Sequence, residues 1–259
     1  MADKILSESL HDGQVVRLTL NAPKANVVDS AMMTELQAKL DGLKSKPEVK
    51  LVQFIGSGDN FSFGASVEEH TKENAPAMLK QFHQLFYSMA ELAIPTAAIV
   101  SGQCLGGGLE LALMCNFMFV DATAKLGQPE IMLGVFAPPA SVILPVKIGQ
   151  SRADDLLLTG RTISASKAVE AGLALAPAYD DREAMLDEVD KWVQKRILPK
   201  SASSLRFGVR AARMHFNAAV ADGLARLEKF YVTELMESAD ANEGITSFLE
   251  KRKPVWKNN

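Results

Sequence analysis

Cysteine is nearly absent from this chain: Cys104 and Cys115 are the two thiols in 259 residues. That excludes the disulfide framework of a small secreted domain, and both thiols read as small core residues of a protein kept in a reducing compartment. Long apolar runs are missing as well. No stretch reaches the ~18 residues of a membrane span, and the opening MADKILSESLHDG lacks the apolar segment of a signal peptide. A cytoplasmic protein with no membrane contact is expected. Neither sign of charge dominates, since 28 Lys and Arg face 31 Asp and Glu for a net charge of −3. The basic residues are scattered, which leaves no footprint for a nucleic acid. No GxSxG nucleophile elbow occurs, and neither Ser66 nor Ser101 has a recognisable histidine partner. His11, His70, His83 and His215 stand alone, so no metal site is expected.

What remains is a chain that is 47% hydrophobic and long enough for a full core, with no Pro/Ser/Gly-rich linker to divide it. Val15–Asn21, Lys50–Gly58, Pro95–Gly102 and Phe117–Gly127 read as strands, each short, apolar and closed by Gly, Asn or Asp. Between them, Ser30–Leu43 and Met78–Leu92 repeat apolar residues at helical spacing. The alternation predicts an α/β fold. Beyond residue 150 the pattern turns helical. Ser164 is placed to cap a helix over Ala165–Ala171 that Gly172 closes, and Phe216, Val220, Leu224, Leu227 and Tyr231 form one apolar face. That face suits either this chain's own core or another subunit.

The stretch VSGQCLGGGLELALMCNF, Val100–Phe117, carries the chemistry. Three glycines, Gly106 to Gly108, open an apolar helix although each interior glycine costs roughly 0.5–1 kcal/mol relative to alanine, and Glu110 sits among leucines where burial penalises a charge. A helix start offers free N–H groups to an oxygen that becomes negative during a reaction. The spacing fits neither phosphate motif, GxxxxGK[ST] or GxGxxG. Gly107 and Glu110, three apart, share a face. Gly64 can bend the chain so that Ala65 offers a second N–H, and Glu130, after Gln128 and Pro129, is bordered by Ile131, Met132 and Leu133. Two glutamates in apolar surroundings suit acid/base work, because burial and mutual repulsion move their pKa values toward neutrality and apart. Plainer readings stand beside this one: glycines for close helix packing, Glu110 paired with Arg152, Glu130 capping a helix start.

Together, LNAPKANVVDSAMMTEL, NFSFGASVEE, PTAAIVSGQCLGGGLELALMCNF, AKLGQPEIMLGV, LLLTGRTISASKAVEAGL and GITSFLEKRKPVW resemble, in order, the segments of the crotonase (enoyl-CoA hydratase/isomerase) superfamily. The resemblance covers nearly the whole chain. It implies a ClpP/crotonase-like spiral of ββα units holding an acyl-CoA site over residues 1–200, and a helical region over 201–259 for oligomerisation and for covering CoA. The expected assembly is a homotrimer or homohexamer. It further implies backbone N–H groups of Ala65 and Gly107 as the oxyanion hole for the thioester oxygen, and Glu110 and Glu130 as the catalytic glutamates. Lys24, Phe63, Val67, Phe248 and Lys251 fall where the family contacts CoA, which enters as part of the substrate with no separate cofactor.

Three departures stand out. Ser66 replaces a usual Asp, Glu68 replaces a usual basic residue, and APPASVILP, Ala137–Pro145, replaces a glycine-rich loop beside the acyl pocket. Two prolines predict a stiff loop there. FSFGASVEEH and GVFAPPAS look most like the alicyclic dienoyl-CoA hydratases of anaerobic benzoyl-CoA degradation. A straight-chain or branched enoyl-CoA hydratase or isomerase is the alternative, and a non-catalytic CoA-binding or RNA-binding relative the more distant one.

Overall fold

The structure, a computed structural model, describes residues 3–259. The first half runs β1 (Ile5–Leu10), β2 (Val15–Leu20), α1 (Ser30–Leu43), β3 (Leu51–Gly56), α2 (Ala75–Leu92), β4 (Thr96–Val100), β5 (Gln103–Leu105), α3 (Gly107–Met114), β6 (Phe117–Val120) and β7 (Lys125–Gly127). Then follow α4 (Pro138–Ile148), α5 (Gln150–Thr159), β8 (Thr162–Ser164), α6 (Ala165–Glu170), α7 (Arg182–Arg196), α8 (Ala202–Ala212), α9 (Met214–Thr233) and α10 (Ala239–Leu249). Five strands form one sheet in the order β1-β2-β3-β4-β6, parallel except for the β1 edge; β5-β7-β8 form a second. Strands β3 and β4 are buried along their whole length, because the large sheet is covered on both faces. Val15, Leu51, Ile55, Ala97, Ile99 and Phe119 pack on Met185, Val189 and Val193 of α7. Val16, Leu18, Val52 and Phe54 face the larger core built from α1, α2 and α3.

The chain steps repeatedly from the large sheet to the small one. Strand β4 passes through Ser101 and Gly102 into β5 and then α3; β6 passes through Asp121–Ala124 into β7 and a 3-10 turn over Pro129–Leu133. One unit earlier, β3 leads to an isolated bridge, Ser62 to Cys104, and then to α2. This is the ββα spiral, and it corrects the single strand expected over Phe117–Gly127: two strands of different sheets lie there. The corner between them is held by the buried Asp121, which accepts from Ser101 Oγ and from Thr123 N at 2.9 Å. At the neighbouring corner Gly102 has φ +58°, and a Cβ there would stand 2.3 Å from the Asp59 carbonyl, so only glycine fits. Strand β1 was not anticipated, because four of its six residues are exposed at the sheet edge and it carries no apolar alternation.

Local signals account for the helices. Asp29 caps α1 by accepting from Met32 N at 2.9 Å, and Ser164 caps α6 by accepting from Lys167 N at 3.4 Å. The stiff loop expected over Ala137–Pro145 is instead the start of α4. Pro138 and Pro139 occupy its first two positions, where a missing N–H costs nothing. Helix α9 lays Val220, Leu224 and Tyr231 into the same core as α2 and α4 of its own chain. Buried His83 of α2 joins Glu228 of α9 at 2.7 Å, and a Cβ on Gly223 would meet Val142 of α4 at 2.5 Å.

Asn26, wholly buried, ties the crossing loops together. Its Oδ1 accepts from Ala22 N at 3.0 Å, its Nδ2 donates to the Ser57 and Asn60 carbonyls at 2.9 Å each, and its carbonyl accepts from Ser62 Oγ at 2.7 Å. Asn26→Ala strands three half-buried backbone groups. A destabilisation of about 2–4 kcal/mol is expected, seen as a fall in Tm of roughly 5–15 °C; an unchanged Tm in thermal denaturation contradicts it.

Candidate active site

The glycines at the start of α3 have three separate reasons. Gly106 has φ +48°, and a Cβ there would stand 2.6 Å from Glu130 Oε1; on Gly107 it would stand 3.1 Å from Ala65 N; on Gly108 it would strike Ser62 Cβ at 2.5 Å. Gly108 therefore serves close packing, while Gly106 and Gly107 leave space at the site. The close-packing reading of the triplet thus applies to Gly108. The Ala65 segment is brought opposite by Gly64 at φ +110°, whose carbonyl accepts from Val28 N at 2.9 Å and whose N–H donates to Ser62 Oγ at 3.1 Å. The N–H groups of Ala65 and Gly107 have no acceptor among the described residues. At the other end of α3, Arg213 donates to the Met114 carbonyl at 2.8 Å and Lys147 Nζ to the Cys115 carbonyl at 3.1 Å. Two cations thus complement the negative end of the helix whose positive end faces the site. Burial pushes Lys147 down to about 8 and Arg213 down to about 10.

Both glutamates line one cavity with Ala65 and Gly107. Its remaining walls are chiefly apolar: Leu79 and Phe82 from α2, Val135 to Pro138 before and at the start of α4, Tyr231 from α9 and Ile245 from α10. Glu110 is 3% exposed and accepts from Ala140 N at 2.9 Å. Ala140 carries the first N–H that α4 can offer after its two prolines, so Glu110 caps that helix. The suggested partner Arg152 donates to the Ala171 carbonyl at 3.5 Å instead. Desolvation, aided by the charge of Glu130, raises Glu110 well above the ordinary carboxyl range, against the lowering effect of Ala140 N–H. Glu130 is raised by burial from 4.5 to about 7. Its carboxylate turns back onto Gly106, and Gln128, with its amide nitrogen facing it, donates to Oε2 at 3.0 Å and Oε1 at 3.1 Å. Ionising one of the two therefore makes ionising the other costlier.

The other expected contacts lie at the mouth or beyond it. Phe63 and Val67 line the cavity, Phe63 being 47% exposed; the Phe63 N–H is taken by the Ala25 carbonyl at 2.9 Å. Lys24 is exposed in the turn before Asn26, its carbonyl held by Asn60 Nδ2 at 3.3 Å. Phe248 is exposed on α10, one turn beyond Ile245, and Lys251 follows that helix; neither lines the cavity. Sequence reasoning missed Gln128 and His70, which lines the cavity with Nδ1 bonded to the Ser66 carbonyl at 2.7 Å. It also missed that Tyr231 reaches the site, having placed it on an apolar helix face.

A carboxyl whose folded-state pKa lies above its unfolded value binds its proton more tightly when folded. It therefore weakens the fold as pH rises through and above the unfolded value. Glu110→Gln removes that effect while keeping shape, so its Tm should exceed that of the parent at pH 8 by a few degrees, about 2–4 °C for each kcal/mol recovered. The difference should shrink at pH 5, where Glu110 is protonated in the folded chain. Equal Tm values for the two proteins at pH 8 refute the claim that burial raises the Glu110 carboxyl.

Residues 11–259 match the family described as enoyl-CoA hydratase/isomerase. Among relatives, a cyclohexa-1,5-dienecarbonyl-CoA hydratase of Thauera aromatica is 44% identical over 95% of this chain and 94% of its own length. A probable enoyl-CoA hydratase of Mycobacterium bovis is 36% identical over 95% of each. In fold, the crystal structure of an enoyl-CoA hydratase from Mycobacterium avium subsp. paratuberculosis superposes with a TM-score of 0.85 over 98% of this chain and 99% of that one, at 24% identity. The chain belongs to the enoyl-CoA hydratase/isomerase family.

Proposed function

We propose that this protein adds water to a double bond conjugated with a CoA thioester, and that its preferred acyl group is an alicyclic diene of the cyclohexa-1,5-diene-1-carbonyl type. The observation that carries the reaction class is the pairing, in one apolar cavity, of two unpartnered N–H groups with two carboxyls of raised pKa. The thioester oxygen accepts from Ala65 and Gly107 and gains charge as the enolate forms, the situation in which fixed donors at a helix start are most effective. Glu110, oriented by Ala140 N–H, takes a proton from water; Glu130 delivers one to carbon. Water's oxygen bonds to the ring or chain, the double bond's electrons move toward the thioester, and the proton from Glu130 completes the addition. The reverse sequence dehydrates the product.

What supports the cyclic acyl group is the 44% identical relative together with the wall at Phe136 to Pro138, where two prolines open α4. This carries with it a role in the breakdown of aromatic compounds through benzoyl-CoA. Phe63 and Val67 on the cavity wall, and Lys24, Phe248 and Lys251 outside it, are the proposed CoA contacts, with CoA arriving as part of the substrate and no further cofactor. Trimers or hexamers are the proposed assembly, supported by the exposed apolar side chains Phe207, Met214 and Phe230 on the C-terminal helices.

Glu110→Gln and Glu130→Gln should each lower kcat by at least ~10²-fold, the scale of general acid/base groups, while a saturated acyl-CoA still binds. Near-normal turnover in either variant removes that residue from the mechanism. Assayed side by side, cyclohexa-1,5-diene-1-carbonyl-CoA should show a higher kcat/KM than crotonyl-CoA. A better rate with crotonyl-CoA replaces the alicyclic reading with the straight-chain one.

A further inference from the structure

One polar group in the cavity has no work in the reaction as drawn. Tyr231 is 1% exposed, lines the cavity with both glutamates, and its hydroxyl has no hydrogen-bond partner. Its ring is fixed edge-on against Phe136, centroids 5.2 Å apart, and its helix is locked to α2 by the His83 to Glu228 contact. A buried hydroxyl left without a partner is unfavourable and rare, and native proteins satisfy such a group with protein, water or ligand. No described protein group takes that place here. Hydrocarbon cannot fill it either: the acyl group has a single polar atom, the thioester oxygen, and that oxygen belongs to Ala65 and Gly107. The polar species left in the cavity is the oxygen that water brings in. About 80 Å³ of the space is open to water, several times the ~10–15 Å³ that one molecule needs.

We propose that the Tyr231 hydroxyl hydrogen-bonds the reacting oxygen, holding the water before addition and the new alcohol after it, as a third polar contact beside Glu110 and Glu130. The inference rests on the hydratase reading and adds to it a residue that tells water and alcohol from an empty pocket. The charges of Glu130 and Glu110, on top of desolvation, push the phenol pKa further up, so the group stays protonated wherever the glutamates work and transfers no proton itself. In hydration it places the nucleophile; in dehydration its O–H donates to the departing hydroxide.

Tyr231→Phe keeps the ring and its contact with Phe136 and removes a single atom. In the hydration direction kcat should fall about 10-fold, the scale of one hydrogen bond to a reacting atom, with KM for the unsaturated acyl-CoA within about threefold. In the dehydration direction kcat/KM must fall by the same factor as kcat/KM for hydration, because the equilibrium constant is fixed, and part of that fall should appear as a raised KM for the hydroxylated substrate. Tm should be unchanged or higher, since the variant removes an unpaired buried hydroxyl. Unchanged kinetics in an active parent overturn the inference alone. So does a loss that comes with a lower Tm, or with KM rising equally for unsaturated and hydroxylated substrates, since that marks a packing residue. A parent protein that hydrates neither crotonyl-CoA nor the cyclic diene overturns the hydratase reading, and the role of Tyr231 with it.

Discussion

Two carboxyl groups enclosed in one apolar cavity are costly to ionise, and the architecture around them answers that constraint. Each group is given a backbone or amide donor: Ala140 N–H for Glu110, and Gln128 for Glu130. Each is held by a segment that leaves it little freedom, the first on α3 and the second in the 3-10 turn after β7. Such a site weakens the fold locally, and the surrounding core, continuous from α1 to α10, offsets it. The raised pKa of each carboxyl is therefore a property of the enclosure as much as of either glutamate.

Helix α3 links this constraint to the rest of the molecule. Its start supplies Gly107, its first turn supplies Glu110, and its last carbonyls are taken by Lys147 and Arg213 from α4 and the junction of α8 and α9. Along eight residues the chain thus passes from unpaired donors facing a ligand site to carbonyls satisfied by cations. A helix left with bare carbonyls at a buried end would be poorly anchored. The cations make its position, and with it the position of the Gly107 N–H, depend on segments more than thirty residues further on.

Much of this was legible in the sequence, and what was not has physical causes. Helix α1 could be read to the residue because Met33, Leu36, Leu40 and Leu43 repeat at helical spacing along it. Gly106, Gly107, Glu110 and Glu130 could be singled out because each breaks a local rule of stability, which is where functional sites show themselves. Strand β1 escaped because it lies at a sheet edge, and the corner at Asp121 escaped because an apolar run does not say when a strand changes sheets. The prolines at 138 and 139 suggest a stiff loop on their own, yet they begin a helix whose first donor is claimed by Glu110, a contact thirty residues distant. The structure brings Tyr231 to the site through the docking of α9, and no spacing within α9 encodes that.

The late position of Tyr231 and Ile245 has a consequence in time. The glutamates, the glycines and both N–H groups are all made by residue 130, whereas the walls from α9 and α10 come at the end of the chain. At roughly 5–20 residues per second, a ribosome needs about 5–20 s to travel from Glu130 to Tyr231. Throughout that interval the apolar residues that will line the cavity lack the walls that Tyr231 and Ile245 supply. The newborn protein is then most open to misassociation after its reacting groups exist and before they are enclosed, so assistance from chaperones matters most during the synthesis of its last hundred residues.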